Sequence, residues 1–191
     1  GLGDVYKRQE VGTLVSDKGG YLYAIDVRSG QTLWKYAPQP GTTFFGAPSA
    51  QVGEHFQAQK NHTSALIYIA SYKINAQVHA LSVVTGKEVW RYTARGRILS
   101  SPVVCPMDGQ GVGSVYFAGL DGRVSSINAM TGVLRWTFTK GASISGSPVL
   151  TCDDSVPKML YVGNNVGMLF AIDRDTGENI WTFRPRDAPL A

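Results

Sequence analysis

Few side chains of this sequence are of a kind that does chemistry, and they are widely spaced. Cys105 and Cys152 are its two cysteines, the first three residues after Pro102 and the second four after Pro148. Two thiols are too few for a disulfide scaffold. They read as buried thiols acting as small hydrophobes, with a disulfide between neighbouring units as the alternative. His55 and His62 share the polar stretch Glu54 to Ser64 without a third ligand beside them, so solvated loop histidines are expected there and no metal is assigned. Asn61-His62-Thr63 fits the N-glycosylation pattern, a triplet common by chance. No residue is assigned a catalytic role.

Basic and aromatic side chains are the next candidates. Arg95 and Lys140 each stand just before a glycine, at equivalent places, and Arg97, Phe44 and Phe45 fall in similar stretches. If these stretches connect one structural unit to the next, the five residues line one rim and can attract an anion or an acidic partner. Ordinary solvated loop charge is the plainer reading. Trp34, Trp90, Trp136 and Trp181 offer faces on which a planar cofactor could stack, but each ends an eleven-residue unit. The units run Ala24 to Trp34, Ala80 to Trp90, Ser126 to Trp136 and Ala171 to Trp181, with Gly30, Gly86, Gly132 and Gly177 four residues before the tryptophan. One ligand cannot touch four equivalent places, so a structural docking role is expected for all eight residues.

The elements that carry these residues follow from the repeat. Successive tryptophans are 56, 46 and 45 residues apart, a period suited to four-stranded propeller blades. In the last unit Met159 to Gly163, Met168 to Asp173 and Asn179 to Phe183 read as strands around tight turns. A further strand follows Pro48, Pro102 and Pro148, which lack the N–H a central ladder position needs and belong at a strand's first residues. Small neighbours such as Gly46, Ser100 and Gly146 suit a crowded place where blades converge. Asp26, Ser82, Asn128 and Asp173 stand where a side-chain oxygen can cap the Thr-Gly or Ser-Gly turn.

The expected fold is therefore all-β, a β-propeller of about four four-stranded antiparallel blades at approximately 10–44, 45–98, 99–144 and 145–191. The first blade lacks its inner strand unless residues 1–9 supply it. That opening, with Asp4, Lys7 and Arg8 and no apolar core, matches neither the repeat nor a signal peptide, and a foreign origin is expected. Pro185 to Ala191 reads as a connection towards another blade. The composition agrees, with 43% hydrophobic residues, 22 glycines and only 17% charged residues. The net charge of +4 is scattered, so a nucleic-acid partner is not expected. No run of 18 apolar residues exists to span a membrane as a helix.

The repeated unit resembles the pyrroloquinoline-quinone-type (PQQ-like) repeat, Ala-x-Asp-x-x-Thr-Gly-x-x-x-Trp, over nearly the whole chain after Val11. The resemblance implies blades of a seven- or eight-bladed propeller in which each tryptophan docks one blade on the next, so that this chain looks like half. Three classes of that family are open. Quinoprotein dehydrogenases hold the quinone and calcium and often carry a disulfide of adjacent cysteines, which this chain lacks. Scaffolds resembling the barrel-assembly lipoprotein of the bacterial outer membrane bind other proteins through loops. Accessory propellers end adenylating enzymes related to acyl-CoA synthetases. The scaffold reading is preferred, non-catalytic as it stands, with a protein partner or the remaining blades as its ligand and PQQ with calcium possible through the resemblance alone. A scaffold or dehydrogenase implies a periplasmic or extracytoplasmic place, an accessory domain a cytoplasmic one.

Overall fold

The computed structural model describes residues 11–16, 20–50, 65–73, 75–105, 113–152 and 157–185. The opening segment 1–9, the loop with His55, Asn61 and His62, and the chain after 185 lie outside the described residues.

Among the described residues fifteen strands form four antiparallel sheets. The first sheet holds β1 (Val11–Ser16), β2 (Leu22–Asp26) and β3 (Thr32–Tyr36). The second holds β4 (Ser49–Ala50), β5 (Leu66–Ala70), β6 (Gln77–Ser82) and β7 (Glu88–Thr93). The third holds β8 (Val103–Cys105), β9 (Ser114–Ala118), β10 (Arg123–Asn128) and β11 (Leu134–Thr139). The fourth holds β12 (Val149–Leu150), β13 (Met159–Gly163), β14 (Leu169–Asp173) and β15 (Asn179–Phe183). Strands within each sheet neighbour one another in chain order. Pro48, Pro102 and Pro148 each stand immediately before the short first strand, where no ladder N–H is required.

Each eleven-residue unit is the hairpin between the last two strands of a sheet. In the fourth, Asp173 Oδ1 accepts the amides of Asp175 and Thr176 at 2.9 and 2.8 Å, and the Gly177 amide closes onto the Asp173 carbonyl at 2.9 Å. Asp26 and Asn128 cap their turns in the same way, and the Ser82 hydroxyl accepts the Thr85 amide at 3.3 Å. The ladder then pairs Ala24 with Trp34, Ala80 with Trp90, Ser126 with Trp136 and Ala171 with Trp181, and a register shift follows each pair. The small residue at the head of each unit is thus the cross-strand neighbour of its own tryptophan, and the bulge adds local twist.

The tryptophans join the sheets. Trp34 Nε1 donates to the Val83 carbonyl at 2.8 Å, Trp90 to Ala129 at 3.0 Å and Trp136 to Arg174 at 3.1 Å. The turn glycine of the next unit lies flat beneath each indole: a Cβ on Gly86, Gly132 or Gly177 would come within 2.5, 2.7 and 2.6 Å of Trp34, Trp90 and Trp136. A tyrosine of the second strand reinforces two of these joints. Tyr68 and Tyr116 hydroxyls donate to the same Ala129 and Arg174 carbonyls at 3.1 and 3.3 Å, and burial raises both phenols, Tyr116 to about 12. Each indole contributes roughly 1.5–3 kcal/mol through burial and about 1 kcal/mol through its hydrogen bond.

At the opposite edge the first strands lace together. The Ala47 amide donates to Ser101 Oγ and the Ser101 amide to Ser147 Oγ, both at 2.8 Å. A Cβ on Gly46 would lie 2.8 Å from the Ser100 carbonyl, which is why small residues crowd there. β5 and β9, flanked by sheets on both faces, are buried at every residue, whereas β13 alternates because one of its faces is open.

Candidate functional site

The stretches connecting one sheet to the next hydrogen-bond to the central hairpin of the following sheet. The Tyr72 amide donates to the Thr43 carbonyl at 2.7 Å, Leu120 to Arg97 at 2.8 Å and Asn165 to Ser143 at 2.8 Å. Three loops and three hairpins therefore share one rim, and Arg95, Arg97 and Lys140 are exposed along it. Phe44 and Phe45 separate. Phe44 turns inward, 6% exposed, and meets the His79 ring edge-on at 6.0 Å, so it belongs to the core. Phe45 is 64% exposed and packs edge-on against Tyr72 at 4.8 Å. The Arg97 guanidinium covers the same Tyr72 ring at 5.6 Å, so these three side chains form one aromatic and cationic surface.

Beside it a cleft of about 310 Å³ opens between the second and third sheets. Arg95, Asp121 and Arg123 supply its charge, and Tyr92, Ile98 and Phe117 much of its apolar wall. Arg123 Nη1 donates to Asp121 Oδ2 at 3.2 Å, and Gly96 and Gly119 leave room for that carboxylate, since a Cβ on either would approach it within 2.7 Å. Two arginines against one aspartate among the lining residues leave the cleft with net positive charge. The arrangement suits an anionic or acidic polypeptide group above an apolar floor. Lys140 lies on the next connecting stretch, with its ammonium 6.0 Å from the Phe138 ring, and does not line this cleft.

Sequence reasoning found the basic residues of the rim but not Tyr72, Asp121 or Arg123. Nothing in the local sequence of Asp121 ties it to Arg95. Also missed is a polar cluster in the joint between the first two sheets. His79, 1% exposed, lies with Nδ1 2.9 Å from Glu88 Oε2 and 3.1 Å from the Tyr36 hydroxyl. The Tyr36 hydroxyl also donates to Glu88 Oε2, and Arg91 Nε donates to Oε1 at 2.6 Å. Burial lowers the His79 pKa, with the Glu88 carboxylate opposing it. Burial alone would raise Glu88; hydrogen bonds from Tyr36, His79 and Arg91 outweigh it and hold the carboxyl below its ordinary value. The cluster is closed to solvent at the imidazole, which makes it a joint rather than a reaction centre.

Among the described residues no three His, Cys, Asp or Glu side chains converge to hold a metal. Trp34, Trp90 and Trp136, the flat aromatic faces, are committed to the joints between sheets.

Known proteins similar to this chain include assembly factors and quinoprotein dehydrogenases. Outer membrane protein assembly factor BamB from Yersinia pestis is 26% identical over 96% of this chain and 45% of its own length. Quinoprotein ethanol dehydrogenase from Pseudomonas putida is 30% identical over 74% of this chain and 25% of its own length. The crystal structure of BamB from Moraxella catarrhalis superposes with a TM-score of 0.67 at 16% identity, over 93% of this chain and 46% of that one. These likenesses show the β-propeller fold, and the chain spans about half the length of the BamB relatives it matches. A family model described as outer membrane protein assembly factor BamB matches residues 18–187, and the chain belongs to that family of PQQ-like propeller repeats.

Proposed function

We propose that this chain is part of a protein-binding assembly scaffold, with the rim of Phe45, Tyr72, Arg97 and the Arg95 cleft as its receiving surface. The observation that carries the reading is the division of labour in the repeat: the conspicuous aromatic residues are consumed in joining sheets, and the irregular residues gather on one rim. A family match in which the relatives are named as assembly factors supports it. So does the surface chemistry, since aromatic rings and guanidinium groups are enriched where proteins meet. Such a role is extracytoplasmic on the analogy of an outer membrane protein assembly factor. The cytoplasmic placement and the adenylating-enzyme reading draw no support from these relatives.

A photo-crosslinking side chain at position 45 of the full protein in its native host tests the proposal. Discrete protein adducts from position 45, and none from position 28 on the turn between β2 and β3, are expected. Equal yields from the two positions would overturn the rim as the receiving surface.

The second reading is a portion of a quinoprotein dehydrogenase, favoured by the 30% identity to the ethanol dehydrogenase. Titration with pyrroloquinoline quinone and calcium separates the two. Stoichiometric tight binding would replace the scaffold reading with this one.

A further inference from the structure

The position after each capping residue carries Val27, Val83, Ala129 and Arg174 in the four repeats. Its carbonyl accepts the preceding sheet's indole from Val83 onward, and the side chain there is small and apolar in the first three units. In the fourth a guanidinium stands there, only 3% exposed. A buried cation is costly without an anionic partner. Among the described residues its carboxylate neighbour, Asp175, is nearly half exposed and 3.6 Å from Nε.

The inner end of the guanidinium faces sulfur. Arg174 Nη1 donates to Cys105 Sγ at 3.0 Å and to the Thr151 carbonyl at 2.5 Å. Cys105 ends β8 and is buried; Cys152 follows Thr151 just beyond β12 and is exposed. The first strands of the two sheets lie against each other, and Arg174 Nη1 reaches both Cys105 Sγ and the carbonyl of the residue before Cys152. Cys105 first, and then Arg174, hold the Cys152 thiol below its ordinary pKa against desolvation. An accessible sulfur, a second sulfur in reach and a fixed cation make a dithiol redox pair. The same cation disfavours a metal ion between the sulfurs.

We propose that Cys152 and Cys105 form a redox-active dithiol, in which Arg174 stabilises thiolate and a small or protein disulfide is the oxidant. The Cys152 thiolate attacks one sulfur of that disulfide, forming a mixed disulfide and expelling the other sulfur as a thiolate. Cys105 then loses its proton to solvent and attacks Cys152 Sγ, expelling the second thiolate. Two protein thiols and one external disulfide become one protein disulfide and two external thiols. The product links the first strands of the third and fourth sheets.

The experiment equilibrates the reduced protein with oxidised glutathione, quenches by alkylation and maps thiols by mass spectrometry. Loss of both thiols together and a crosslinked peptide pair holding Cys105 and Cys152 in one chain are expected. Cys105→Ser should stop at glutathione on Cys152, and Cys152→Ser should leave the buried Cys105 unmodified. Arg174→Met should slow alkylation of Cys152 about three- to tenfold at pH 7, with Arg174→Lys recovering most of the rate. Should Arg174→Met fail to fold, the two serine variants decide the matter alone. Retention of both thiols in the wild type, or glutathione on Cys152 without the crosslink, would overturn the proposal.

Discussion

The indole of Trp136 and the backbone of Gly177 are in face-to-face contact, with the glycine at φ 79° and a Cβ there only 2.6 Å from the ring. The last sheet is seated on the third through this contact and through the Arg174 carbonyl. Gly177→Ala therefore meets two penalties, a left-handed backbone costing roughly 1–2 kcal/mol and overpacking costing roughly 1–3 kcal/mol. Gly30 shares the backbone, at φ 70°, but has nothing within 4 Å of its Cβ position. Gly30→Ala should cost only the first of these. Denaturant unfolding of the two variants checks the difference.

The tryptophans should rank by what covers them. Trp90→Ala removes a half-buried indole, its stacking on Tyr68 at 5.8 Å and its bond to Ala129, and should cost about 3–5 kcal/mol. Trp181 is 41% exposed, beside exposed Ile180 and Phe183. Trp181→Ala should cost under about 1 kcal/mol in this 191-residue chain. If a further blade covers it in a longer protein, the cost there should approach that of Trp90. Thermal unfolding of both forms reads this directly.

Acid should loosen the joint of the first two sheets. The His79 pKa lies below its ordinary 6.5 in the folded chain, so the unfolded chain takes up that proton first and stability falls as pH drops below about 6.5. Glu88, held below 4.5, adds a second loss of the same sign at lower pH. Tyr36, Arg91 and Lys73 also face this pair. The unfolding midpoint should decline from pH 7 to 5, and the decline should shrink in His79→Gln.

The rim should be separable from the fold. Arg95 and Lys140 are exposed, so Arg95→Ala with Lys140→Ala should shift stability by no more than about 0.5 kcal/mol. Binding of an acidic partner should weaken and lose part of its salt dependence. Unchanged affinity measured by calorimetry would remove these two charges from the binding surface.

How far each feature could be read depends on where its partners lie in the chain. The capped turn, its glycine and the tryptophan fall within eleven residues and recur, so the hairpins were legible. The Arg174 contact with Cys105 spans 69 positions, and the Tyr36 hydroxyl meets Glu88 across 52. No local pattern marks such pairs. Phe44 and Phe45 show the same limit at short range. Adjacent aromatics outside a regular strand have no periodicity to say which faces in, and only the His79 ring and Tyr72 decided it.

By itself, the sequence determined the all-β repeat, the hairpin chemistry and the family, because these rest on local backbone preferences and a spacing repeated four times. The tertiary structure decided which carbonyl receives each indole, that Arg174 is buried against Cys105, and that Arg95 meets Asp121 and Arg123 around one cleft. Those facts arise when separate sheets pack, which brings together side chains whose distance along the chain carries no signal of their distance in space.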